Sequence, residues 1–252
     1  MSIVFMGTPS FAVPSLRRLA ADGHRISAVY SQPDRPAGRG RHPKPPPVKL
    51  SAQELGLTVR QPPTLRDAQA LAALASLEPQ LIVVVAYGQI LRQEVLDIPP
   101  RGVLNVHPSL LPRHRGASPI PSTILAGDEE SGVTIMLMDE GTDTGPILAQ
   151  RVMAIEPSDT AASLDDRLAH VGADLMAETL PQWLKGEIEP RPQDDSQATK
   201  TPLLHKEDAD IDWSLPATTI WRQVRAFNPW PGSHTTLDSE MLHIWQAWPL
   251  EG

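Results

Sequence analysis

The chain has 252 residues, of which 40% are hydrophobic and 21% charged, so it can bury the core of one large domain plus a smaller part. It contains no cysteine, which excludes disulfides, thiolate metal sites and cysteine nucleophiles and fits a reducing compartment. The net charge of -8 argues against a broad affinity for nucleic acid, because phosphate contacts need lysine and arginine.

The first predicted element is a strand over residues 3–6, which the chain enters without a basic leader segment. No apolar run reaches the roughly 18 residues that a membrane span requires. We therefore expect a cytoplasmic protein that has no membrane partner.

Short apolar runs alternate with amphipathic stretches through the first half of the chain. This pattern is typical of an α/β fold, in which strand-helix-strand units build an open, mostly parallel, Rossmann-like sheet with flanking helices. The predicted strands cover residues 3–6, 26–30, 81–85 and 103–107. The predicted helices cover residues 11–21, 48–55 and 66–77, with Ser10 as N-cap of the first and Gly56 ending the second.

The turn Gly7-Thr8-Pro9 after the first strand invites comparison with a dinucleotide site. The Rossmann fingerprint needs glycine at its third position so that the backbone can approach a pyrophosphate. Here that position is Pro9, which has no amide hydrogen to donate. The turn therefore gives no indication of a nicotinamide cofactor.

Residues 34–49 form a basic, proline-rich stretch. Five basic residues and one acid give it a local net charge of +4, with His42 counted as neutral. Its prolines exclude a regular helix or a central strand, so we predict an exposed loop. Two interpretations stay open: a solvated connection, or a stiff finger in which Arg39, between Gly38 and Gly40, contacts the phosphates or bases of a polyanion.

Two polar residues lie near the end of the fourth predicted strand. Side chains two residues apart on a strand point to the same face, so Asn105 and His107 would face one pocket, beyond the carboxyl ends of the strands where ligands bind. An amide N–H can stabilise the oxyanion of a tetrahedral intermediate, and an imidazole can carry protons near neutral pH. The pair indicates acyl transfer, whereas His107 taken alone is better explained as a satisfied core histidine.

The acidic, glycine-rich residues 139–145 could bring Asp143 beside His107. From residue type alone this assignment stays open, because an aspartate in such a turn often caps its own backbone. A serine hydrolase built from Ser109, His107 and Asp143 is disfavoured, because Ser109 lies in no G-x-S-x-G turn. The spacing of the histidines predicts no metal site.

The second half of the chain is predicted to contain a strand over residues 147–152 and a long amphipathic helix over residues 161–184. Polar and proline-rich residues indicate a linker over residues 189–208. Beyond it we expect a helix over residues 220–227, then a hairpin of strands 235–237 and 243–247 around Asp238-Ser239. The predicted organisation is a catalytic domain over residues 1–188, the linker, and a partial domain over residues 209–252.

These motifs closely resemble those of the folate-dependent formyltransferase family. Asn105, His107 and Asp143, with Ser109-Leu110-Leu111-Pro112 between them, match the Asn-His-Asp triad of that family. The resemblance covers almost the whole chain. It extends to the segments Gly7-Thr8-Pro9, Gln32-Pro33-Asp34-Arg35-Pro36-Ala37-Gly38-Arg39-Gly40, Ala86-Tyr87-Gly88 and Arg225-Ala226-Phe227-Asn228-Pro229-Trp230-Pro231.

The resemblance implies an enzyme that takes a formyl group from N10-formyltetrahydrofolate as co-substrate and uses no metal. Within the family, the match is to members that formylate methionyl-tRNA in translation initiation, which implies methionyl-tRNA as a partner. The resemblance also implies a role for each residue of the triad. Asn105 would stabilise the oxyanion, and His107 would transfer the proton. Asp143 would orient His107 and stabilise its charge. The implied folate contacts are Tyr87, Gly88, Gln89, Ser109, Leu110, Leu111, Pro112, Asp139 and Gly141. The implied tRNA contacts are Arg35, Arg39, Arg41 and Lys44.

In that family a carboxy-terminal β-barrel begins at this point of the chain, so residues 209–252 are expected to form the start of an incomplete barrel. We also expect a monomer. One alternative is a formyltransferase or deformylase of the same fold acting on a small amine, such as a sugar amine or a ribonucleotide amine. Another is a non-catalytic RNA-binding module. The basic loop counts against the first, and the three polar residues of the triad count against the second.

Overall fold

The computed structural model describes residues 1–37 and 42–250. The strands are β1 (Ser2–Gly7), β2 (Arg25–Tyr30), β3 (Arg35–Ala37), β4 (His42–Lys44), β5 (Val59–Arg60), β6 (Leu81–Val85), β7 (Val103–His107), β8 (Arg115–Gly116), β9 (Glu130–Leu137), β10 (Ile147–Ala154), β11 (Lys200–Thr201), β12 (His234–Leu237) and β13 (Glu240–His243). The α-helices are α1 (Val13–Ala21), α2 (Pro47–Glu54), α3 (Ala68–Ala75), α4 (Gln93–Leu96), α5 (Pro119–Ala126), α6 (Ala161–Lys185) and α7 (Ala217–Ala226). Short 3-10 helices occupy Ser10–Ala12, Asp195–Gln197 and Lys206–Ala209.

Within the described residues, seven strands form one sheet in the order β10-β9-β7-β6-β1-β2-β5. The strands from β7 to β5 pair in parallel, whereas β9 runs antiparallel to β7. All residues of β6 and β7 are buried, as expected for parallel strands that are covered on both faces. The predicted fold class, an open and mostly parallel Rossmann-like sheet with helices, is confirmed.

One hydrophobic cluster covers a face of this sheet. Alternate residues such as Met6 of β1 and Val84 of β6 share that face and pack with Leu74 of α3 and Val95 of α4. Each large apolar side chain buried in this way stabilises the fold by about 1.5–3 kcal/mol. The cluster holds the central strands in register and so fixes where their carboxyl ends lie.

Most of the predicted elements agree with the structure to within a few residues. The strands over 81–85 and 103–107 have the predicted bounds, and Gly56 follows the end of α2 with φ +68°, a left-handed conformation that glycine adopts without strain. Of the helix predictions, the one over residues 161–184 is matched by α6 almost residue for residue.

Two local predictions are corrected by the structure, and one strand was missed. Ser10 is not an N-cap: it begins a 3-10 helix, and Ala12 precedes the first α-helical residue. The last strand is β13 (Glu240–His243) rather than residues 243–247, because Asp238 and Ser239 have positive φ and form a two-residue turn that pairs Leu237 with Glu240 directly. The strand β9 was not predicted from the sequence: Glu130, Ser131 and Gly132 at its start and Thr134 within it interrupt the apolar residues, so no clear strand pattern stands out.

The chain forms two compact units. The first contains Met1–His107, Val133–Arg151 and Ala169–Gln193, and the second contains Pro108–Gly132, Val152–Leu168 and Asp194–Gly252. The residues predicted as a linker include β11, which pairs with β8 inside the second unit. The boundaries of a catalytic and a carboxy-terminal domain therefore stay a prediction.

Among the described residues, no helix combines the length and apolar character needed to traverse a bilayer.

Candidate active site

Strand β7 presents the two polar residues that the sequence singled out. It lies between β6 and β9, with Asn105 opposite Met136 of β9 and His107 opposite Thr134. Asn105 is 9% exposed and His107 is 4% exposed, so both functional groups lie in a largely water-excluded setting. Their two-residue spacing puts both side chains on the same face of the sheet.

The structure brings Asp143 beside His107. The Asp143 Oδ1 atom lies 3.7 Å from His107 Nδ1, beyond a hydrogen bond but close enough for a favourable charge interaction with a protonated ring. Both side chains belong to the first compact unit and are mostly buried. The predicted proximity of imidazole and carboxylate is thus present, and Nδ1 is the ring atom that faces the acid.

The loop that carries Asp143 joins β9 to β10. Asp143 itself has φ +54°, an unfavourable conformation for a residue with a side chain, so its surroundings must hold it there. The Gln193 amide donates to the carbonyl oxygens of Asp143 (2.9 Å) and Gly145 (2.7 Å). A Cβ atom on Gly145 would overlap with the carbonyl oxygen of Leu137, so glycine is required for the loop to close against the end of β9.

Asp139 and Asp143 have different surroundings within this loop. Asp139 Oδ1 accepts hydrogen bonds from the backbone N–H of Gly141 (3.0 Å) and the hydroxyl of Thr144 (2.7 Å). Asp139 therefore organises the loop, while Asp143 is the carboxylate that faces His107.

Two further polar residues, Thr134 and Gln150, lie on β9 and β10, on one side of β7. Thr134, which is fully buried, lies directly across from His107, and residues opposite each other in an antiparallel pair share a face. Its hydroxyl accepts a hydrogen bond of 3.0 Å from the Gln150 amide. Sequence reasoning missed Thr134, Gln150 and Gln193. Thr134 and Gln150 lie in strands that contain other polar residues, so their residue type alone did not single them out.

The segment Tyr87-Gly88-Gln89 follows the carboxyl end of β6. Ala86 has φ +47° and Gly88 has φ +85°, so the chain turns sharply here. The Tyr87 side chain is buried in the core, and this burial raises the pKa of its phenol. The Gln89 side chain accepts from the N–H of Leu65 (3.0 Å) and donates to the carbonyl of Pro62 (3.2 Å). A ligand at this segment would therefore meet mainly backbone groups.

Comparison with known proteins decides the family. A family model described as formyl transferase matches residues 1–180, and one described as formyl transferase, C-terminal domain, matches residues 203–252. The chain belongs to the formyl transferase family. The resemblance inferred from its motifs is confirmed.

The formyl transferase match extends over nearly the whole chain. A protein of Chloroflexus aurantiacus named methionyl-tRNA formyltransferase is 54% identical over 247 residues, which cover 98% of this chain and 80% of that protein. Among solved structures, a sugar N-formyltransferase from Shewanella has a TM-score of 0.76 at 18% identity, covering 100% of this chain and 99% of that one. An N-formyltransferase from Helicobacter canadensis, in complex with folinic acid and dTDP-3-aminofucose, has a TM-score of 0.73 at 20% identity, covering 94% and 84% of the two chains.

In this formyl transferase the segment Ser109-Leu110-Leu111-Pro112 belongs to the second compact unit. The Ser109 hydroxyl donates to the carbonyl oxygen of Arg113 at 2.7 Å, and the residue is 1% exposed. A serine that closes its own loop in this way has a structural role, which weakens the hydrolase alternative further.

The second unit also contains a buried ionic cluster that the sequence did not suggest. His114 Nε2 lies 2.7 Å from Asp128 Oδ2, which also accepts from the Thr123 hydroxyl at 3.0 Å. Although burial opposes ionisation, the hydrogen bonds from His114, Thr123 and Arg113 hold the pKa of Asp128 below its usual value. The cluster ties the segment after Ser109 to the end of α5.

The predicted basic loop contains a short antiparallel pair, β3 with β4, separate from the central sheet. The prediction that it is neither helix nor central strand is confirmed for its described residues. Lys49 donates to both carboxylate oxygens of Asp34, at 2.8 and 2.7 Å, so these two charges neutralise each other. Arg35 and Lys44 stay exposed. Arg39 and Arg41 lie outside the described residues.

The described part of this formyl transferase contains no cluster of potential metal ligands. Within residues 1–37 and 42–250, no three histidine, aspartate or glutamate side chains are grouped closely enough to hold an ion.

Proposed function

We propose that this chain transfers the formyl group of N10-formyltetrahydrofolate to the α-amine of methionyl-tRNA. The observation that carries the proposal is the arrangement of Asn105, His107 and Asp143 at the carboxyl end of β7. This arrangement occurs in a chain that shares 54% identity with a protein named methionyl-tRNA formyltransferase.

The reaction needs no covalent enzyme intermediate. The neutral α-amine attacks the formyl carbon, and the carbonyl oxygen becomes an oxyanion. Asn105 would donate its amide N–H to that oxygen, an interaction that strengthens as the charge develops. The low exposure of Asn105 supports this role, because a hydrogen bond to a developing charge is stronger where water is excluded.

The amine must lose a proton and the folate N10 must gain one when its bond to the formyl carbon breaks. His107 would carry this proton through Nε2, the ring atom on the far side from Asp143. Asp143 would orient the ring and stabilise its protonated form, as a carboxylate at 3.7 Å from Nδ1 allows. Held in place by the surrounding structure, the three groups would supply position, charge and proton transfer together.

The folate would lie against the segment Tyr87-Gly88-Gln89 and the loop from Asp139 to Asp143, which belong to the same compact unit. The turn at Gly88 follows the carboxyl end of β6, and backbone groups there would suit the hydrogen-bonding edge of a pterin. The complex of the Helicobacter N-formyltransferase with folinic acid supports a folate as the formyl donor.

The tRNA would contact the basic loop through Arg35, Arg39, Arg41 and Lys44. Since Lys49 is neutralised by Asp34, these residues carry the net positive charge of the loop. Phosphate contacts of this kind position a nucleic acid without reading its sequence. As part of the same proposal, the protein acts as a monomer in the cytoplasm, where charged tRNA is used.

The second candidate is formyl transfer to a small amine, such as a sugar amine. It is favoured by the likeness to the Shewanella sugar N-formyltransferase, which this chain covers to 99% of its length. At 18% identity that likeness shows the fold alone. A small acceptor also has no need for an exposed loop of net charge +4.

The decisive experiment is formylation of charged initiator tRNA by the 252-residue chain with N10-formyltetrahydrofolate as donor. A nucleotide-linked amino sugar is the competing acceptor, and His107→Ala is the inactive control. We expect product from methionyl-tRNA alone. Formylation of the sugar, with none of the tRNA, would show that the acceptor is a small amine.

A further inference from the structure

The loop between β9 and β10 is held in place both from within and from outside. Within the loop, Asp139 accepts hydrogen bonds from a backbone N–H and from a threonine hydroxyl. At its base, the N–H of Leu137 donates to the carbonyl oxygen of Pro146 at 3.0 Å. The backbone of residues 143–145 is held instead by a segment that is distant in the sequence and ends at Gln193.

This outer segment adds a short pairing to the start of β10. The N–H of Arg191 donates to the carbonyl oxygen of Ile147 at 2.9 Å, and the N–H of Ile147 donates back at 2.8 Å. Arg191 lies between Pro190 and Pro192, and a residue that precedes proline prefers the extended backbone that such a pairing needs. The bridge therefore fixes the backbone two residues before Gln193, and all of these residues belong to the first compact unit.

Gln193 applies both hydrogens of its side-chain amide to the loop. Its Nε2 atom donates to the carbonyl oxygen of Asp143 at 2.9 Å and to that of Gly145 at 2.7 Å. An amide nitrogen has two hydrogens, so one is available for each carbonyl. A single side chain, anchored by its own backbone, thus fixes two peptide groups of the loop.

Asp143 depends on such support for two reasons. Its φ of +54° is unfavourable for a residue with a side chain, so the loop can relax once its surroundings release it. Its Oδ1 atom lies 3.7 Å from His107 Nδ1, and an attraction between charges at this distance has little directional preference. The position of the carboxylate is therefore set by the backbone that carries it.

We propose that Gln193 is a positioning residue for formyl transfer, which holds the Asp143 carboxylate where it orients His107 and stabilises the protonated ring. The inference rests on the proposed function, in which Asp143 acts on His107. Gln193 acts only through the loop, so its loss removes no group from the proposed folate contacts. It should slow the chemical step and leave folate binding nearly unchanged.

The test compares Gln193→Ala, Asp143→Asn and the double variant of the full chain in single-turnover kinetics at saturating substrates. The acceptor is the one that the formylation assay identifies. Gln193→Ala should lower the chemical rate by about tenfold, because a small displacement of a group in the site is costly. KM for the folate should stay within about twofold, since Asp139 keeps its own hydrogen bonds in the loop.

The double variant separates a positioning role from a general structural one. If Gln193 acts through Asp143, adding Gln193→Ala to Asp143→Asn should change the chemical rate by less than about twofold, because residues that act as a unit are not additive. A residue that acts independently of Asp143 would lower the rate by the same factor in both backgrounds.

Two further variants complete the set. Gln193→Glu has nearly the same shape, but its carboxylate has no N–H for the two carbonyls, so it should be at least as slow as Gln193→Ala. It also replaces Gln193→Ala in the comparison if the alanine variant does not fold. Gln182→Ala is the matched control, because it removes a glutamine amide that donates to the carbonyl oxygen of Glu178 within α6, at 3.0 Å. It should leave the chemical rate unchanged.

Three outcomes overturn the inference and leave the proposed function standing. They are an unchanged rate in Gln193→Ala beside a slow Asp143→Asn, a further tenfold loss in the double variant, and a raised KM for the folate with an unchanged rate. A normal rate in Asp143→Asn rejects the proposed role of that carboxylate and the inference with it. Absence of turnover with either acceptor rejects the proposed function and the inference together.

Discussion

Asn105 and His107 occupy a strand that is buried along its whole length, so their polar groups are held in place by the sheet. Polar groups fixed before the substrates arrive need little reorganisation as charge develops. Substitutions of these side chains should therefore affect the chemical step rather than the fold.

Asn105→Ala should lower the chemical rate by about 10²–10³-fold, the usual effect of removing one oxyanion donor. Folate affinity should change little, because the amide acts on the oxygen only as it becomes charged. Single-turnover kinetics at saturating substrates measures the rate, and a folate titration is the control. An unaltered rate removes Asn105 from the mechanism.

Asp143→Asn and Asp139→Asn are a matched pair within one loop. We expect Asp143→Asn to lower the chemical rate by at least about 10²-fold, because the charge beside His107 is lost. Asp139→Asn keeps an oxygen that can accept from Gly141 and Thr144, so it should have little effect. The same kinetics measures both variants. The reverse ranking would mean that the other carboxylate acts in catalysis.

At the scale of elements, the loop between β9 and β10 decides where Asp143 lies. A side chain at position 145 would meet the carbonyl of Leu137, so Gly145→Ala should move the loop and its carboxylate. We expect a loss of kcat of about 10-fold or more, since small displacements of a catalytic group are costly. Steady-state kinetics and a crystal structure of the variant check this.

The matched control for that loop variant is Gly23→Ala. Nothing lies within 4 Å of a Cβ atom there, although its φ of +77° makes alanine strained. This variant should lose about 1 kcal/mol of stability and keep its kcat. Equal kcat values for the two variants would show that the loop tolerates the change at Gly145.

For the molecule as a whole, one half-buried acid makes stability depend on pH. Burial raises the pKa of Asp165 from 3.8 to about 6, and the neighbouring Asp166 carboxylate adds to the rise. Because the folded state favours the protonated acid, stability should fall as pH rises from 3.8 to 6, and the full cost should apply above 6. Asp165→Asn should therefore stabilise the protein by about 1–2 kcal/mol at pH 7 and by little at pH 4.

Denaturant unfolding at the two pH values measures this effect. Asp166→Asn is the control: it removes only the neighbouring charge and should give a smaller gain at neutral pH. The same gain for Asp165→Asn at both pH values would contradict the assignment.

Association with tRNA is a second property of the whole molecule. On a chain of net charge -8, the basic loop should supply much of the attraction to phosphate. Arg39→Ala should raise KM for methionyl-tRNA, leave folate affinity unchanged and flatten the salt dependence of tRNA binding by about one unit on a log-log plot. Titration of labelled tRNA at several salt concentrations decides it, with Arg25→Ala as the control. Identical slopes would make residues 34–49 a solvated connection.

Local patterns of residues were enough to predict the central parallel strands and the shared face of Asn105 and His107. These features depend on local periodicity: apolar runs mark β6 and β7, and a spacing of two places both side chains on one face. The family resemblance then supplied Asp143, which residue type alone could not distinguish from an ordinary turn aspartate.

The rest of the site depends on contacts between segments that are far apart in the chain. Gln193 holds the Asp143 carbonyl from 50 positions along the chain, and β9 brings Thr134 across from His107. Such contacts join residues that are distant in sequence, so they depend on strand order and packing, which no local pattern of residues records.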